Sequence, residues 1–218
     1  SEKIKKAANL IKNSKKPLIL CGHGVILSDA HKIIRRLAIN FNIPVTMSLL
    51  GLGAFPTTHQ LSLGFHGFTG NLAAGFAIQN CDLLLVVGSR LDLRQVGTKS
   101  EDFAKNAKII RVDIDTNEIK NSRVKCNINI IGDVKLTLNK LLKHISNSKP
   151  KRNVWARQIQ EYKKNYKLNF RKTKSIKPQE IIEEINKKTL TKETICVSGV
   201  GQHQQWTARH FDFDYPKK

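Results

Sequence analysis

No apolar run in this 218-residue sequence approaches the ~20 residues that a membrane-spanning helix needs. No secretory signal pattern opens it. A membrane partner is therefore not expected. Cysteine is sparse. Cys21, Cys81, Cys126 and Cys196 stand far apart, with no Cys-x-x-Cys pair. That spacing argues against a zinc site and a disulfide framework, and it fits a reducing cytoplasm. The dinucleotide fingerprint is missing too: Gly22/Gly24 and Gly51/Gly53 lack a third glycine three positions on. Acids are few, with 17 Asp and Glu against 38 Lys and Arg, a net charge of +21. Such an excess raises nucleic acid as a partner. Its distribution argues otherwise. Between Lys140 and Lys192 there are 16 Lys or Arg against 4 acids, in a connector-like stretch. No pairing of aromatics on strands accompanies them. Specific nucleic-acid binding is not expected.

What is present centres on Asp82-Leu-Leu-Leu-Val-Val-Gly-Ser-Arg-Leu-Asp-Leu-Arg94. The run Leu83 to Val87 reads as a strand buried on both faces, as in a parallel sheet. Gly88 and Ser89 form a turn, and Arg90, Asp92 and Arg94 follow at every second position. Ligands of open α/β sheets bind outside the carboxyl ends of the strands. Two guanidiniums and a carboxylate there suit phosphates and a polar ring or ribose, or simply pair with each other.

Around this strand the chain alternates. Ile4, Ala7, Ala8 and Ile11 mark an amphipathic first helix. A strand over Leu18–Cys21 ends in Gly22-His23-Gly24, where glycine lets a ligand or helix approach the backbone. Ser28 or Asp29 is placed to cap a helix that buries Ile33, Ile34, Leu37, Ala38 and Phe41. Pro44 opens a second strand. The apolar loop Leu50 to Pro56 is shaped to pack on a flat surface or a neighbouring chain. The glycines at 64, 67 and 70 precede a helix over Leu72–Ile78, a place where backbone N–H groups can hold an anion. Residues 101–107 read as a helical turn. Strands over 108–115 and 126–131 follow, and Asp113 and Asp115 at a strand end are placed to accept from a ribose. A helix over Val134–Ile145 carries Leu136, Leu138, Leu141 and Leu142. The expected fold class is α/β, a doubly wound parallel sheet over 1–146.

A basic linker is expected over 147–177, with one weak helix near Trp155–Tyr166. Pro178 starts a helix with acids in its first turn. A strand over Thr194–Val200 and a helix opening at Gly201-Gln-His-Gln204 read as the truncated start of a second α/β domain, 178–218.

In order and spacing, several pieces resemble the acetolactate synthase large subunits, thiamine-diphosphate enzymes. They are Gly22-His-Gly24, Ser48-Leu-Leu-Gly-Leu-Gly-Ala-Phe-Pro56, Leu61-Ser-Leu with its glycines, Gly88-Ser-Arg-Leu-Asp92, Val112-Asp-Ile-Asp115, Gly132-Asp-Val134 and Gly201-Gln-His-Gln204. The resemblance implies a central Rossmann-like domain for FAD or another nucleotide. It places Gly22, His23, Gly24, Ser48 and Leu49 beside the cofactor. It adds the loop His66-Gly67-Phe68-Thr69, then Gly88, Ser89, Arg90, Leu91, Asp92 and Arg94. Asp113, Ile114, Gly132 and Asp133 complete that set, with Arg90 the leading phosphate partner. Gln202 and His203 match contacts to thiamine diphosphate.

The implied reaction is carboligation in branched-chain amino-acid biosynthesis. Pyruvate loses carbon dioxide and its two-carbon unit is added to a second 2-keto acid. Thiamine diphosphate and Mg2+ are the implied cofactors, with FAD holding the site's shape, in a homodimer or tetramer. The activating glutamate and the Gly-Asp-Gly metal motif have no counterpart here. No catalytic residue or metal ligand is assigned, and the chain alone is expected to be inactive. The family's Arg-Phe-Asp-Asp-Arg is here Arg90-Leu-Asp-Leu-Arg94, His23 adds a ring, and Gly199 replaces an aspartate. The alternative is an FAD- or ADP-binding domain of a related lyase or another flavoprotein.

Overall fold

The computed structural model describes residues 1–145, 152–171, 173–189 and 194–216. Six strands form one parallel sheet: β1 (Pro17–Cys21), β2 (Val45–Met47), β3 (Ser62–Phe65), β4 (Leu83–Val87), β5 (Lys108–Asp113) and β6 (Ile128–Ile131). Their order is β3-β2-β1-β4-β5-β6. The chain reverses direction across the sheet between β1 and β4, so the topological switch point lies at the paired Cys21 and Val87.

Ten α-helices accompany the strands among the described residues. The first seven are α1 (Glu2–Asn13), α2 (Gly24–Leu27), α3 (His31–Phe41), α4 (Leu72–Asn80), α5 (Leu93–Val96), α6 (Thr116–Lys120) and α7 (Val134–Ile145). Then come α8 (Asn153–Asn165), α9 (Pro178–Thr189) and α10 (Gln202–His210). Alternation along β1 sends Ile19 and Cys21 to one face and Leu18 and Leu20 to the other. The first face packs on α1, α3 and α7. The second packs on α4 and α8, where Ala73, Ala74 and Ala77 bring α4 close to the strands. Both faces are covered, as the apolar runs required. The doubly wound reading holds.

Several local readings change. β3 was not foreseen as a strand. Its apolar pattern is broken by Gly64 at φ +70° and by an irregular register against β2. The expected cap of α3 is absent. Ser28 instead donates to the Gly24 carbonyl oxygen at 2.7 Å, and Asp29 pairs with Lys135 at 2.9 Å. Leu136 is exposed rather than buried; Val134 and Ile145 fill the contact face of α7. Thr194–Val200 forms no strand, and Ile195, Val197 and Val200 stay exposed. A lone strand leaves its backbone donors and acceptors without a ladder partner. Residue 146 and, within the expected linker, residues 147–151 and 172 lie outside the described residues, while α8 packs into the sheet's second face through Trp155 and Ile159.

α8 also closes the amino edge of the sheet. Buried Arg152 donates to the carbonyl oxygens of Ile11, of Ser14 at 3.2 Å and of Phe41 at 2.6 Å. These are carbonyls from the ends of α1 and α3, which helix geometry leaves unpaired. The Trp155 indole N–H donates to Pro17 O at 2.9 Å. Gln160 and Lys163 both reach Gln60 O at 3.1 Å. No described helix is long and apolar enough to cross a membrane.

Candidate functional site

The opposite, carboxyl edge gathers the segments singled out in the sequence. At its centre the loops after β1 and β4 close on each other through backbone. The Gly22 amide donates to Val87 O at 2.8 Å, Gly24 to Gly88 O at 3.0 Å, and Gly88 to Val112 O at 2.9 Å. A Cβ on Gly22 would lie 2.1 Å from the Gly88 carbonyl oxygen. Gly88 has φ +59°, and a Cβ there would meet Gly24 Cα at 2.6 Å. Glycine is required because one loop approaches the other. The crevice between β1 and β4 is filled by backbone, so a ligand must lie across the strand ends rather than thread between them.

Most acids of the region already have work. Asp92 caps α5, its Oδ1 accepting from the amides of Arg94 at 3.0 Å and Gln95 at 3.3 Å. Asp133 caps α7, accepting from the Leu136 amide at 2.8 Å. Asp113, read as a ribose acceptor, accepts from Arg111 at 3.2 Å and from the Asp115 amide at 3.1 Å. Asp115 caps α6 through the amides of Asn117 and Glu118. Buried Ser89 donates to Gln95 Oε1 at 2.7 Å. Buried Ser48 opens the turn Leu49–Gly51, with its amide on Cys21 O at 2.9 Å. These groups build the loops.

What faces outward is different in kind. The Arg90 side chain is exposed, 3.6 Å from Asp92 and 3.9 Å from Glu118. Arg94 and His23 are exposed as well. Around them every strand end presents a large exposed apolar residue: Leu27, Leu50, Phe68, Leu93, Ile114 and Ile131. Phe68 is 91% exposed and Ile114 70%. At the amino edge the loops present none of that kind among the described residues, and α8, which closes that edge, presents Val154 in its first turn. Large exposed apolar side chains gathered on one edge point to an interaction site. Cationic and apolar groups on one rim suit a ligand with both phosphates and flat rings.

The His66–Thr69 loop is fixed on both sides. His66 is buried, with Nε2 2.9 Å from Gln95 O. A carbonyl only accepts, so Nε2 carries the proton of a neutral ring. Burial lowers the His66 pKa to about 4, against a smaller raising effect from that bond. The Phe68 amide donates to Arg94 O at 2.7 Å. The Thr69 hydroxyl donates to Gln205 Oε1 on α10. Gln202 and His203 are exposed at the first turn of α10, whose cap residue Gly201 makes no side-chain cap.

Residues 4–141 match the family described as "Thiamine pyrophosphate enzyme, central domain". The chain belongs to the thiamine pyrophosphate enzymes. The matched range runs from α1 into α7 and takes in all six strands. Similarity to individual members of this family continues to the end of the chain. The "Acetolactate synthase large subunit" of Porphyra purpurea is 38% identical over 214 residues, covering 96% of this chain and 36% of that protein. The "Probable acetolactate synthase large subunit" of Methanocaldococcus jannaschii is 40% identical over 223 residues, covering 98% and 37%. The "Acetolactate synthase" of Mycobacterium leprae is 34% identical over 223 residues, covering 100% and 35%. The chain thus spans a little over a third of the length of these curated relatives.

Within this thiamine pyrophosphate enzyme chain the residues named from sequence fall into two groups. Those of the sheet domain collect on one edge, whereas Gln202 and His203 lie on α10, joined to that edge through Thr69. Sequence reasoning missed Arg111, which is fully buried and also donates to Glu118 O and Ser122 Oγ, each at 3.0 Å. Its signal was present: an arginine inside a buried run, two residues before an aspartate on the same strand face.

Proposed function

We propose that this chain is the nucleotide-binding middle portion, with part of the thiamine-binding portion, of an acetolactate synthase-like carboligase. The observation that carries the reading is the amphipathic carboxyl edge. Exposed Arg90 and Arg94 stand among Phe68, Ile114 and the other rim residues, beside a switch point closed by Gly22, Gly24 and Gly88. These residues fit FAD as a ligand of the strand ends, which they would hold. Arg90 and Arg94 supply charge for the diphosphate, and Phe68 and Ile114 supply apolar cover for the rings.

The exposed Gln202 and His203, on a helix start without a side-chain cap, fit contact with polar groups of thiamine diphosphate. When bound, thiamine diphosphate supplies the carbanion chemistry that removes carbon dioxide from pyruvate and passes the two-carbon unit to a second 2-keto acid. This chain's part would be to orient that centre through Gln202 and His203. The sequence contains no Gly-Asp-Gly motif for Mg2+. The whole reaction belongs to a cytoplasmic assembly of two or four copies, and this chain alone does not turn over pyruvate.

Calorimetric titration with FAD and then ADP tests the edge. FAD binding that weakens roughly tenfold in Arg90→Ala supports it, since a charge-assisted bond contributes about 1.5–3 kcal/mol. Binding of ADP with no gain for FAD favours the nucleotide-only alternative, in which the exposed Leu93 has replaced a family carboxylate. Absence of binding by both refutes the reading. Acetolactate formation by this chain with thiamine diphosphate, Mg2+ and pyruvate would refute the proposed inactivity.

A further inference from the structure

The first turn of α10 has little of its own to hold it. Gly201 provides no cap, Gln202 and His203 are exposed, and the preceding segment 194–200 has no ladder partner among the described residues. The later part of α10 and its exit are anchored differently. His210 Nδ1 lies 2.9 Å from Glu183 on α9, and the Phe213 amide donates to the Thr57 hydroxyl at 2.8 Å. Toward the start of the helix, the Thr69 hydroxyl bond to Gln205 is the side-chain tie to the sheet domain among the described residues. Thr69 ends the loop that His66 and Phe68 fasten to α5, the helix that follows Arg90.

We propose that Thr69 is a positioning residue: through Gln205 it sets the first turn of α10, and with it Gln202 and His203, against the ligand-bearing edge. The chain of contacts runs from Arg94 O to the Phe68 amide, through Thr69, to Gln205. A ligand seated on Arg90 and Phe68 immobilises this loop and so steadies α10. Tightening one end of the loop tightens the other, because binding and ordering are reciprocal. This coupling rests on the reading of the carboxyl edge as a nucleotide site; the positioning of α10 by Thr69 does not.

The test is hydrogen exchange of the amides of 202–208 in the full chain, without ligand and with saturating FAD. The variants are Thr69→Val, which keeps the shape and removes the hydroxyl, and Thr69→Ser, which keeps the hydroxyl. Without ligand, exchange in Thr69→Val is expected to rise roughly fivefold, the equivalent of one neutral hydrogen bond, and to return toward the parent rate in Thr69→Ser. Unchanged exchange in Thr69→Val overturns the positioning role, whatever FAD does. With FAD, the parent should show slower exchange at 202–208. Thr69→Val, brought to saturation with FAD at its own measured dissociation constant, should show no such slowing. Equal slowing in both overturns the coupling. FAD that binds neither protein overturns the nucleotide reading of the edge and the coupling with it, while the ligand-free arm still decides the role of Thr69.

Discussion

The two edges of the sheet are made from the same six strands and are finished in opposite ways. At the amino edge, polar atoms meet polar atoms. Arg152 gathers the ends of α1 and α3, Trp155 holds the start of β1, and Ser14 and the Lys15 amide bond to Asp82. At the carboxyl edge, polar side chains are spent on capping short helices, and large apolar groups are left in water. An edge that contributes stability and an edge that forgoes it have different purposes. Exposed Phe68 and Ile114 gain nothing from folding alone. Under the proposed function, a ligand on that edge would bury them.

The contrast can be broken in several places. The largest effect is expected at Arg152. Arg152→Met removes three hydrogen bonds, two of them buried, and strands helix-end carbonyls, a loss of about 3–5 kcal/mol by denaturant unfolding, with FAD affinity unchanged. Retained stability would show that the amino edge is not what holds the domain together.

Gly22→Ala sharpens the contrast, because Gly22 lies on the carboxyl edge and yet serves the fold. Its new methyl would overlap the Gly88 backbone, so about 3 kcal/mol or more should be lost, measured by the same unfolding experiment. A stable, folded variant would mean that the two loops can part.

His66 gives the edge a dependence on acidity. Its folded pKa, about 4, is below the ordinary 6.5, so the unfolded chain binds the proton more readily. Stability should therefore fall as pH drops from 6.5 to 4, by about 3 kcal/mol from this residue, and level off below that window. Unfolding free energies against pH should show a slope that flattens in His66→Asn. An equal slope in that variant would assign the effect elsewhere.

The smallest stability effects are expected on the rim. Arg90→Ala and Phe68→Ser should change unfolding free energy by no more than about 0.5 kcal/mol, since both side chains are largely exposed. Both should weaken FAD. A large stability loss from either would turn the rim into ordinary structure.

The fold was legible because strand burial is written in composition. Leu83–Val87 has no polar interruption, and α3 shows its five buried residues at helical spacing. β3 was harder to see, since Gly64 breaks its pattern and its register slips against β2. The site was legible as a list of segments but not as a division of labour. Sequence shows Asp92, Asp113 and Asp133 at strand ends. It does not show that two are caps and the third is paired with Arg111, because cap and ligand both call for a short acid in that place. Sequence reads the glycines as room for a ligand or a helix, and the neighbour they admit is the adjoining loop. Arg152 and Thr69 could not be found by pattern. Their partners are 111 and 136 residues away in the chain.

One measurement sets the two edges against each other: unfolding free energy of the parent, Arg90→Ala and Arg152→Met, each with and without FAD at 100 times the parent dissociation constant. Specific binding at that excess adds about 2.7 kcal/mol. The parent and Arg152→Met should both gain that amount, from different starting stabilities, and Arg90→Ala should gain clearly less. Equal gains in all three, or none in any, would contradict the assignment of stability to the amino edge and cofactor binding to the carboxyl edge.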